Sequence, residues 1–403
     1  MADAIRNTQG DTEEETQMLD TIERWVAREL KPIVREYDHA DRYPTEVVEQ
    51  MKELGLFGVT IPEEYGGMGL DLTTYAMIVE ELSRGWISIS GVVNTHFIGS
   101  YLLMKFGTDE QKEAFLPKMA TGEIRAAFSL SEPEVGSDVQ GIKATATKDG
   151  DAWVLNGQKM WVTNGLLSGV VFVLMKNDTK ADPPYKGMTC FITEKEPGVS
   201  GNTGDFAGLV IPPKIKKMGY KGVESTELVY DGYRCPAERI LGGEEAGLGQ
   251  GFRQMMDALE VGRVNVAARG VGIAQRALEL ALRYSQERKT FGKPIAQHQA
   301  IQFKLADMAT KVEAARLLTF KAARMKDAGQ RSDVEAGMAK LFASETGKEV
   351  VEESFRIHGG YGYSKEYEIE RLYRDAPLLL IGEGTSEIQR MVIGKKLLDR
   401  HKI

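Results

Sequence analysis

The sequence predicts a multidomain chain in which a helical region, a β-rich region and a second helical region follow one another. Two observations predict this order. From Glu13 to about Gly122, and again from Gly249, apolar residues recur at helical spacing. Between Ala126 and about Ile240 that period fades, and short β-rich runs appear between Gly, Asn, Asp and Pro residues. The predicted domains are residues 1–125, all-helical; 126–240, a β-barrel or sandwich; and 241–403, an antiparallel helical bundle.

The N-terminal region contains a series of helical patterns separated by Pro and Gly. Ile61-Pro-Glu-Glu-Tyr-Gly-Gly67 is one such break. The predicted helices are Glu13–Tyr37, Thr45–Leu56, Leu72–Ser83, Gly91–Phe106 and Asp109–Met119.

The β-rich region contains short strand patterns bounded by turn residues. The predicted strands include Ala152–Leu155, Val170–Met175, Met188–Thr193 and Glu227–Tyr230. The segments 176–186 and 196–205 are predicted to be surface loops.

The C-terminal region contains a stripe of apolar residues at alternating spacings of four and three: Ile301, Leu305, Met308, Val312 and Ala315. Such a stripe is typical of packed core, so we assign it no chemistry. Its edge could also pair subunits.

Composition excludes several classes of function. The net charge of -8 and a pI near 5.5 oppose binding to nucleic acid or to an anionic membrane. The two cysteines, Cys190 and Cys235, have no paired spacing, and the five histidines are scattered, so we predict buried thiols and no metal site. Met1–Glu15 is acidic, and no apolar run is expected to reach the ~20 residues of a membrane span. These features predict a cytoplasmic protein.

Two glycine clusters superficially suggest phosphate-binding loops. They are Gly247-Leu-Gly-Gln-Gly251 and Gly359-Gly-Tyr-Gly362. Neither follows a strand and opens a helix with an acidic residue beyond it, so a Rossmann domain is not expected.

The segment from Ile381 to Gln389 places one carboxylate, Glu383, between two glycines and before a helix start. Ser386 and Gln389 match a Ser-x-x-Gln capping box. The glycines allow a close backbone approach to a ligand, and the capped helix fixes the position of the carboxylate. This pattern predicts a placed catalytic base.

Four further segments accompany that loop. They are 128–138 (FSLSEPEVGSD), 156–165 (NGQKMWVTNG), 286–295 (QERKTFGKPI) and 358–363 (HGGYGY). In these motifs, and in their order, the chain resembles the acyl-CoA dehydrogenase family of flavoproteins from about Glu14 to Leu398. The resemblance implies an N-terminal helical domain, a middle β-domain and a C-terminal four-helix bundle.

The resemblance also implies an activity, the FAD-dependent α,β-dehydrogenation of an acyl-CoA thioester to the trans-2-enoyl-CoA, as in β-oxidation. Glu383 would remove the α-proton, and flavin N5 would accept the β-hydride, which no side chain can accept. Some members of the family carry the base just before a bundle arginine; here that position is Gly262, before Arg263. Arg263 would support the base, whereas Glu260 would face another side of its helix.

The flavin and substrate residues follow from the same motifs. Ser131 stands where threonine is more common, and Arg356 where many relatives carry glutamine. Arg288, Phe291 and Arg356 through Gly360 would contact an FAD of the adjoining subunit. The full cofactor set is Phe128, Leu130, Ser131, Gly136, Ser137, Trp161, Thr163, Arg288, Phe291, His298, Gln299, Arg356, Gly359, Gly360, Thr385 and Glu387. The thioester set is Ser137, Phe252, Met256, Glu260, Arg263 and Gly384.

The acyl group is left open by the sequence. Glutaryl-specific relatives carry an arginine at the position of Ser90, and that carboxylate clamp is absent here. Asn94, Thr95 and His96 make the segment polar, so a branched, cyclic or oxygen-bearing acyl group fits as well as a straight chain.

These motifs are compatible with several functions. The leading hypothesis is a homotetrameric dehydrogenase, a dimer of dimers, that passes electrons to an electron-transfer flavoprotein. The alternatives are an acyl-CoA oxidase-like relative, a β-eliminating relative and a non-catalytic flavin- or CoA-binding protein.

Overall fold

The structure is a computed structural model and describes residues 12–402. Most of the acidic segment Met1–Glu15, and the first residues of the predicted domain 1–125, therefore lie outside the described residues. The helices of the N-terminal region are α1 Glu13–Trp25, α2 Val34–Ala40, α3 Thr45–Glu53, α4 Leu72–Phe106 and α5 Asp109–Ala120.

The predicted helix Glu13–Tyr37 is divided in the structure. After α1 the chain forms a π-helical turn, Val26–Leu30, before α2 begins. Val26 and Leu30 are both fully buried and pack against Gly85 of α4, where a Cβ would lie 2.6 Å from Val26 Cγ1. The expectation of one continuous helix was wrong because this packing interrupts the regular hydrogen-bond ladder.

Helix α4 joins two predicted helices, and its backbone breaks at Trp86 (φ −160°, ψ 115°) between them. By length and composition alone, this helix would be long and apolar enough to cross a membrane. However, 89% of its most apolar window is buried inside the protein, and α4 is a core helix. It forms one wall of the site described below.

The middle region folds into a curled seven-stranded sheet. Its strands are β1 Ala126–Ser129, β2 Thr145–Asp149, β3 Ala152–Thr163, β4 Val170–Lys176, β5 Met188–Glu194, β6 Leu209–Val210 and β7 Ser225–Pro236. The order is β1-β4-β2-β3-β7-β6, with β5 paired to β4. Residues of β4 and β5 are almost entirely buried because the sheet packs against helices. Cys190 and Cys235 are buried free thiols, as predicted.

The C-terminal region is a bundle of long helices. Its elements are α6 Gly243–Gly247, α7 Gly251–Glu287, a hairpin of β8 Lys289–Thr290 and β9 Lys293–Pro294, α8 Gln299–Asp327, α9 Asp333–His358, α10 Ile369–Asp375, α11 Pro377–Ile381 and α12 Ser386–Arg400. Helix α7 packs against α4, α8 and α9, and α12 packs against α9. Met308, Val312 and Ala315 of the predicted stripe are buried. The helical, β and helical order confirms the predicted fold class.

Candidate active site

The loop between α11 and α12 holds Glu383 in an unusual backbone conformation. Glu383 has φ 55° and Gly384 has φ 93°, both in the left-handed region. Gln389 Nε2 donates to the carbonyl oxygens of Glu383 and Gly384, at 3.2 Å each. The buried Lys340 of α9 donates its Nζ to the same Gly384 oxygen at 2.7 Å. A left-handed glutamate costs about 1–3 kcal/mol, and these bonds hold it there.

The predicted capping box is wrong in detail. The N-cap is Thr385, whose hydroxyl accepts a hydrogen bond from the backbone N–H of Ile388 at 3.2 Å. Ser386 is already helical, which places Gln389 one position too far along to bond the cap. Gln389 bonds the base loop instead, so the helix start and the base position are directly linked.

The Glu383 carboxylate lies between α4 and α7, and we call the space around it the chamber. Its Oε1 accepts a hydrogen bond from Asn94 Nδ2 of α4 at 2.7 Å. Its Oε2 is buried without a hydrogen-bond partner, and a Cβ built on Gly262 of α7 would lie 2.1 Å from that oxygen. The same Cβ would lie 3.2 Å from Ile98 Cδ1 of α4. Glycine at position 262 therefore provides the space that the carboxylate occupies.

The electrostatic environment of Glu383 combines burial with nearby cations. Burial raises the pKa of Glu383 above its ordinary value, while the Asn94 hydrogen bond and the charges of Arg269, Lys340 and Arg263 oppose the rise. Burial also lowers the pKa of Lys340 to about 8. A carboxylate with one bonded and one free oxygen among such groups is suited to taking up a proton.

Arg263 and Glu260 leave α7 in different directions. Arg263 is half-buried, and its Nε has no hydrogen-bond partner. Glu260 accepts hydrogen bonds from Ser332 Oγ at 2.8 Å and Lys326 Nζ at 3.2 Å, at the junction of α8 and α9. The structure thus places Glu260 away from Glu383, whereas Arg263 contributes positive charge to it.

A β-bulge exposes Trp161 beside the loop 131–137. The pairing of β3 with β7 shifts between Lys159 and Val162, and Trp161, inside the bulge, has φ 64° and is 57% exposed. Met160 N donates to Ser131 O at 2.9 Å, which holds the loop against this strand end. Gly136 and Ser137 are exposed and Thr163 is half-buried, whereas Phe128 is half-buried and Leu130 buried beneath them. An exposed indole beside exposed loop donors fits a planar, hydrogen-bonding ring system such as a flavin.

A second group of predicted cofactor residues lies at the far ends of α7 and α9. Arg288 lies over the Tyr361 ring at 5.7 Å, and Phe291, 95% exposed, packs edge-on against His298 at 6.1 Å. Gln299, Arg356, Gly359 and Gly360 are exposed, and Arg356 Nε donates to Glu352 at 2.8 Å.

The two groups are separated along α7. The 26 residues from Gly262 to Arg288 correspond to about 39 Å of helix. The structure therefore does not bring the second group to Glu383 of its own chain.

The remaining predicted residues lie near the base loop or on the first turns of α7. Glu387 is exposed, 3.6 Å from Arg390, and Thr385 caps α12. Phe252 and Met256 are half-buried one turn apart, and the Phe252 ring lies 5.7 Å from that of Tyr185.

Sequence reasoning missed four residues around Glu383. In the sequence, Asn94 stands out only as a polar residue of its segment, and Lys340, Arg269 and Tyr220 do not stand out. Arg269 follows Gly262 by seven residues, which puts both on one face of α7 and is a signal that helical spacing contains. Lys340 and Tyr220 come from distant segments, and no sequence pattern pointed to them.

One cluster of potential metal ligands occurs within residues 12–402, formed by Asp38, His39 and Glu370. Arg374 donates to Asp38 at 2.6 Å and to Glu370 at 2.8 Å. Because a cation already bridges these carboxylates, we interpret the cluster as an ion-pair network, and the absence of a metal site stays a prediction.

Comparison with known proteins places this geometry in a family. Three family models match: acyl-CoA dehydrogenase N-terminal domain over residues 12–123, middle domain over 127–233 and C-terminal domain over 249–398. A 3-(aryl)acrylate reductase of Clostridium sporogenes is 42% identical over 93% of this chain and 96% of its own. A (2S)-methylsuccinyl-CoA dehydrogenase of Cereibacter sphaeroides is 40% identical over 96% of this chain and 70% of its own.

Solved structures agree with the family models. Butyryl-CoA dehydrogenase from Megasphaera elsdenii has a TM-score of 0.89 and 37% identity, over 97% of this chain and 100% of that one. A glutaryl-CoA dehydrogenase from Mycobacterium smegmatis in complex with FADH2 has a TM-score of 0.86 and 28% identity, over 96% and 95%. The chain belongs to the acyl-CoA dehydrogenase family of flavoprotein oxidoreductases.

Proposed function

We propose that this protein is an FAD-dependent dehydrogenase that converts an acyl-CoA thioester to the trans-2-enoyl-CoA. The observation that carries the proposal is the placement of Glu383. Its carboxylate is held at one oxygen by Asn94 and is free at the other, inside a chamber between α4 and α7. A base in this position can face the α-carbon of a thioester that enters the chamber.

Glu383 removes the α-proton through its free Oε2. The charges of Arg269, Lys340 and Arg263 favour the ionised carboxylate and oppose the rise in pKa that burial causes. Among residues 12–402 no hydrogen bond is made by the backbone N–H of Glu383, so this donor is available for the thioester carbonyl oxygen. A donor at that oxygen stabilises the negative charge that develops as the α-proton leaves.

The acceptor of the β-hydride must come from a cofactor. FAD supplies that acceptor when bound, with its ring against Trp161 and Thr163 and within reach of Ser131 and its neighbours through Ser137. The exposed Trp161 ring supports this placement because an uncovered indole at a bulge has an apolar face to offer. Thr385 and Glu387 contact the same FAD, and they belong to the chain that supplies Glu383.

The CoA portion is bound at the mouth of the chamber. Phe252 and Met256, on one face of the first turns of α7, supply apolar contacts, and Ser137 and Gly384 supply polar ones. Arg263 supplies positive charge close to the thioester. Glu260 acts indirectly, through its bonds to Ser332 and Lys326 at the end of α8.

The site is completed by a second copy of the chain in a homotetramer. Arg288, Phe291, His298, Gln299 and Arg356, with Gly359 and Gly360, reach the pyrophosphate and adenosine of the neighbouring subunit's FAD. The separation along α7 of about 39 Å supports this arrangement, because it exceeds the reach of one dinucleotide from Glu383. Electrons then pass to an electron-transfer flavoprotein.

A second direction of reaction is favoured by one relative, which is named a 3-(aryl)acrylate reductase. Reduction of the double bond requires the same groups with the proton moving the other way. Glu383 carries a proton readily because burial raises its pKa. The acyl groups in the names of the matched proteins also differ, and two of them, methylsuccinyl and glutaryl, carry a carboxylate.

The test is an anaerobic titration of the FAD-loaded protein with acyl-CoAs of different classes, followed in the visible spectrum. Bleaching of the flavin band by one class supports dehydrogenation and names the class. Re-oxidation of reduced enzyme by an enoyl-CoA alone supports reduction. Fast re-oxidation in air with stoichiometric peroxide would favour the oxidase-like alternative. A flavin that no thioester bleaches would overturn the proposal.

A further inference from the structure

The chamber that contains Glu383 also contains a buried arginine with no ion-pair partner. Arg269 of α7 is 4% exposed. Its Nε and Nη2 are buried without hydrogen-bond partners, and within residues 12–402 it forms no ion pair. Burying a guanidinium without a counter-charge is costly, so its place beside the candidate base needs an explanation.

Other buried arginines of this protein are paired with carboxylates. Arg84 Nε donates to Glu279 at 2.6 Å, and Arg316 Nε donates to Glu80 at 3.1 Å. The fold therefore neutralises guanidinium groups when they serve packing alone. Arg269 departs from this pattern, because it faces the Tyr220 side chain and forms no ion pair within residues 12–402, so a ligand can supply its carboxylate partner.

We call the part of the chamber beside Arg269 and Tyr220 its inner end. Arg269 follows Gly262 by seven residues, two turns along the same face of α7, or about 10 Å. Its guanidinium lies 4.9 Å from the Tyr220 ring, and the Tyr220 hydroxyl fills the space beside Gly91 of α4. Side chains on a helix lean toward its N-terminus, so the guanidinium points back toward the level of Glu383.

The chamber is polar between Glu383 and Arg269. The side-chain oxygens of Asn94 and Asn265 are both buried without partners, and Asn265 Nδ2 donates to Tyr75 at 2.9 Å. Three cations influence Glu383, namely Arg263, Arg269 and Lys340. Arg263 is also influenced by Glu260 and Asp333, and Lys340 by Glu345 and Glu387, whereas Arg269 forms no ion pair with a carboxylate of the described residues.

We propose that Arg269 binds the terminal carboxylate of a dicarboxylic acyl-CoA, with the thioester at Glu383 and the carboxylate at the inner end. A planar guanidinium pairs with a carboxylate in a forked geometry, which gives both affinity and orientation. The clamp comes from α7 and not from α4, where Ser90 donates to its own helix at Ile87 O, at 2.7 Å. The inference rests on the proposed function for its thioester but adds the substrate class.

Arg269 could instead act only through Glu383, by keeping the base ionised. The two roles predict different results. A group that acts through the base affects every acyl-CoA equally, whereas a carboxylate clamp affects only acyl groups that carry the carboxylate.

The first experiment measures binding without turnover. In the FAD-loaded Glu383→Gln protein, calorimetry compares succinyl-, glutaryl- and adipyl-CoA with butyryl-, valeryl- and hexanoyl-CoA. We expect one dicarboxylic ester to bind roughly 10- to 100-fold more tightly than its neutral match. Adding Arg269→Gln should abolish that preference, while the Kd of each neutral ester should change by less than about threefold. Arg269→Lys should keep part of it, and Arg283→Gln, an exposed arginine of the same helix, should keep all of it.

The second experiment measures kcat/KM with Glu383 intact. A loss of kcat/KM in Arg269→Gln that is at least about tenfold larger for dicarboxylic esters than for their neutral matches supports the clamp, and equal loss for both classes overturns it. No preference for any dicarboxylic ester in the parent protein also overturns it.

If the binding preference holds but no thioester bleaches the flavin, the clamp stands and the proposed reaction fails. If neutral esters turn over and no carboxylate preference is found, the proposed reaction stands and the clamp fails. Thermal melting and flavin content confirm that each variant folds.

Discussion

The carboxylate of Glu383 occupies the space that a side chain at Gly262 would fill. An ideal Cβ on Gly262 lies 2.1 Å from Glu383 Oε2, although the two residues come from different elements. Only one of these positions can therefore carry a side chain directed at the same point of the chamber. This geometry gives a physical reason for glycine on α7 when the base is on the loop.

Gly262→Ala should displace the Glu383 carboxylate and reduce kcat by about 10²-fold or more, because a small misplacement of a base is costly. Helix stability should not fall, since alanine favours the helix over glycine. The measurement is steady-state turnover together with thermal melting. In a Glu383→Gly background, Gly262→Glu should recover activity at least about tenfold over Glu383→Gly alone. A Gly262→Ala protein with native kcat would contradict this placement of the base.

Asn94→Ala should move the acidic limb of the kcat/KM profile to higher pH. The hydrogen bond from Asn94 lowers the pKa of Glu383, so its loss raises that pKa and leaves more of the base protonated near neutrality. Activity at neutral pH should fall by about tenfold and recover partly as the pH rises. Ser90→Ala on the same helix serves as the control, because Ser90 bonds only its own helix backbone. An unmoved limb would exclude Asn94 from setting the pKa of the base.

Lys340→Met should loosen the base loop. Lys340 donates to Gly384 O and adds positive charge near Glu383, and methionine preserves the length of the side chain without either property. We expect kcat to fall about 10- to 100-fold with a smaller change in KM. Lys348→Met is a matched control on α9, since Lys348 pairs with Glu352 at 3.4 Å and lies over the Tyr373 ring at 4.1 Å. Equal kcat in both variants would show that Gln389 alone fixes the loop.

Trp161→Gly should separate cofactor binding from folding. Trp161 is 57% exposed and has φ 64°, a conformation that glycine adopts without strain. The apoprotein should therefore unfold at the same or a higher temperature, while the Kd for FAD rises roughly tenfold or more as the stacking surface is lost. Trp161→Phe should retain most of the FAD affinity. Unchanged FAD binding in Trp161→Gly would remove Trp161 from the flavin site.

Arg288 and Glu383 should complement each other between subunits. Arg288→Ala and Glu383→Gln proteins should each be inactive or weak as pure oligomers. Co-expressed with different tags, they form hybrids in which one shared site has both native residues, so about half of the native turnover per hybrid dimer is expected. Pure oligomers of each variant, mixed after purification and without exchange, are the control. Hybrids no more active than the better parent would place Arg288 and Glu383 in one chain's site.

Much of the fold was predictable from local pattern. Helical spacing marked the bundle from Gly249 onward, turn residues marked the strands, and the interruption between residues 83 and 91 marked the kink at Trp86. The π-helical turn and the true cap of α12 were not predictable, since both depend on contacts with other elements. Gly85 packs against the π-helical turn, and Gln389 donates a hydrogen bond to the base loop instead of capping α12.

For the site, the sequence determined which groups exist and the tertiary structure decided what they face. The sequence alone shows that Glu383 lies between two glycines and that position 262 is a glycine. The contact between these two residues arises only when α7 packs against the loop. Lys340, Asn94 and Arg269 carry ordinary local patterns, because a lysine, an asparagine or an arginine in a helix is usually solvated. Their burial around one carboxylate is a property of three packed segments, and only packing removes the water that would otherwise screen these charges.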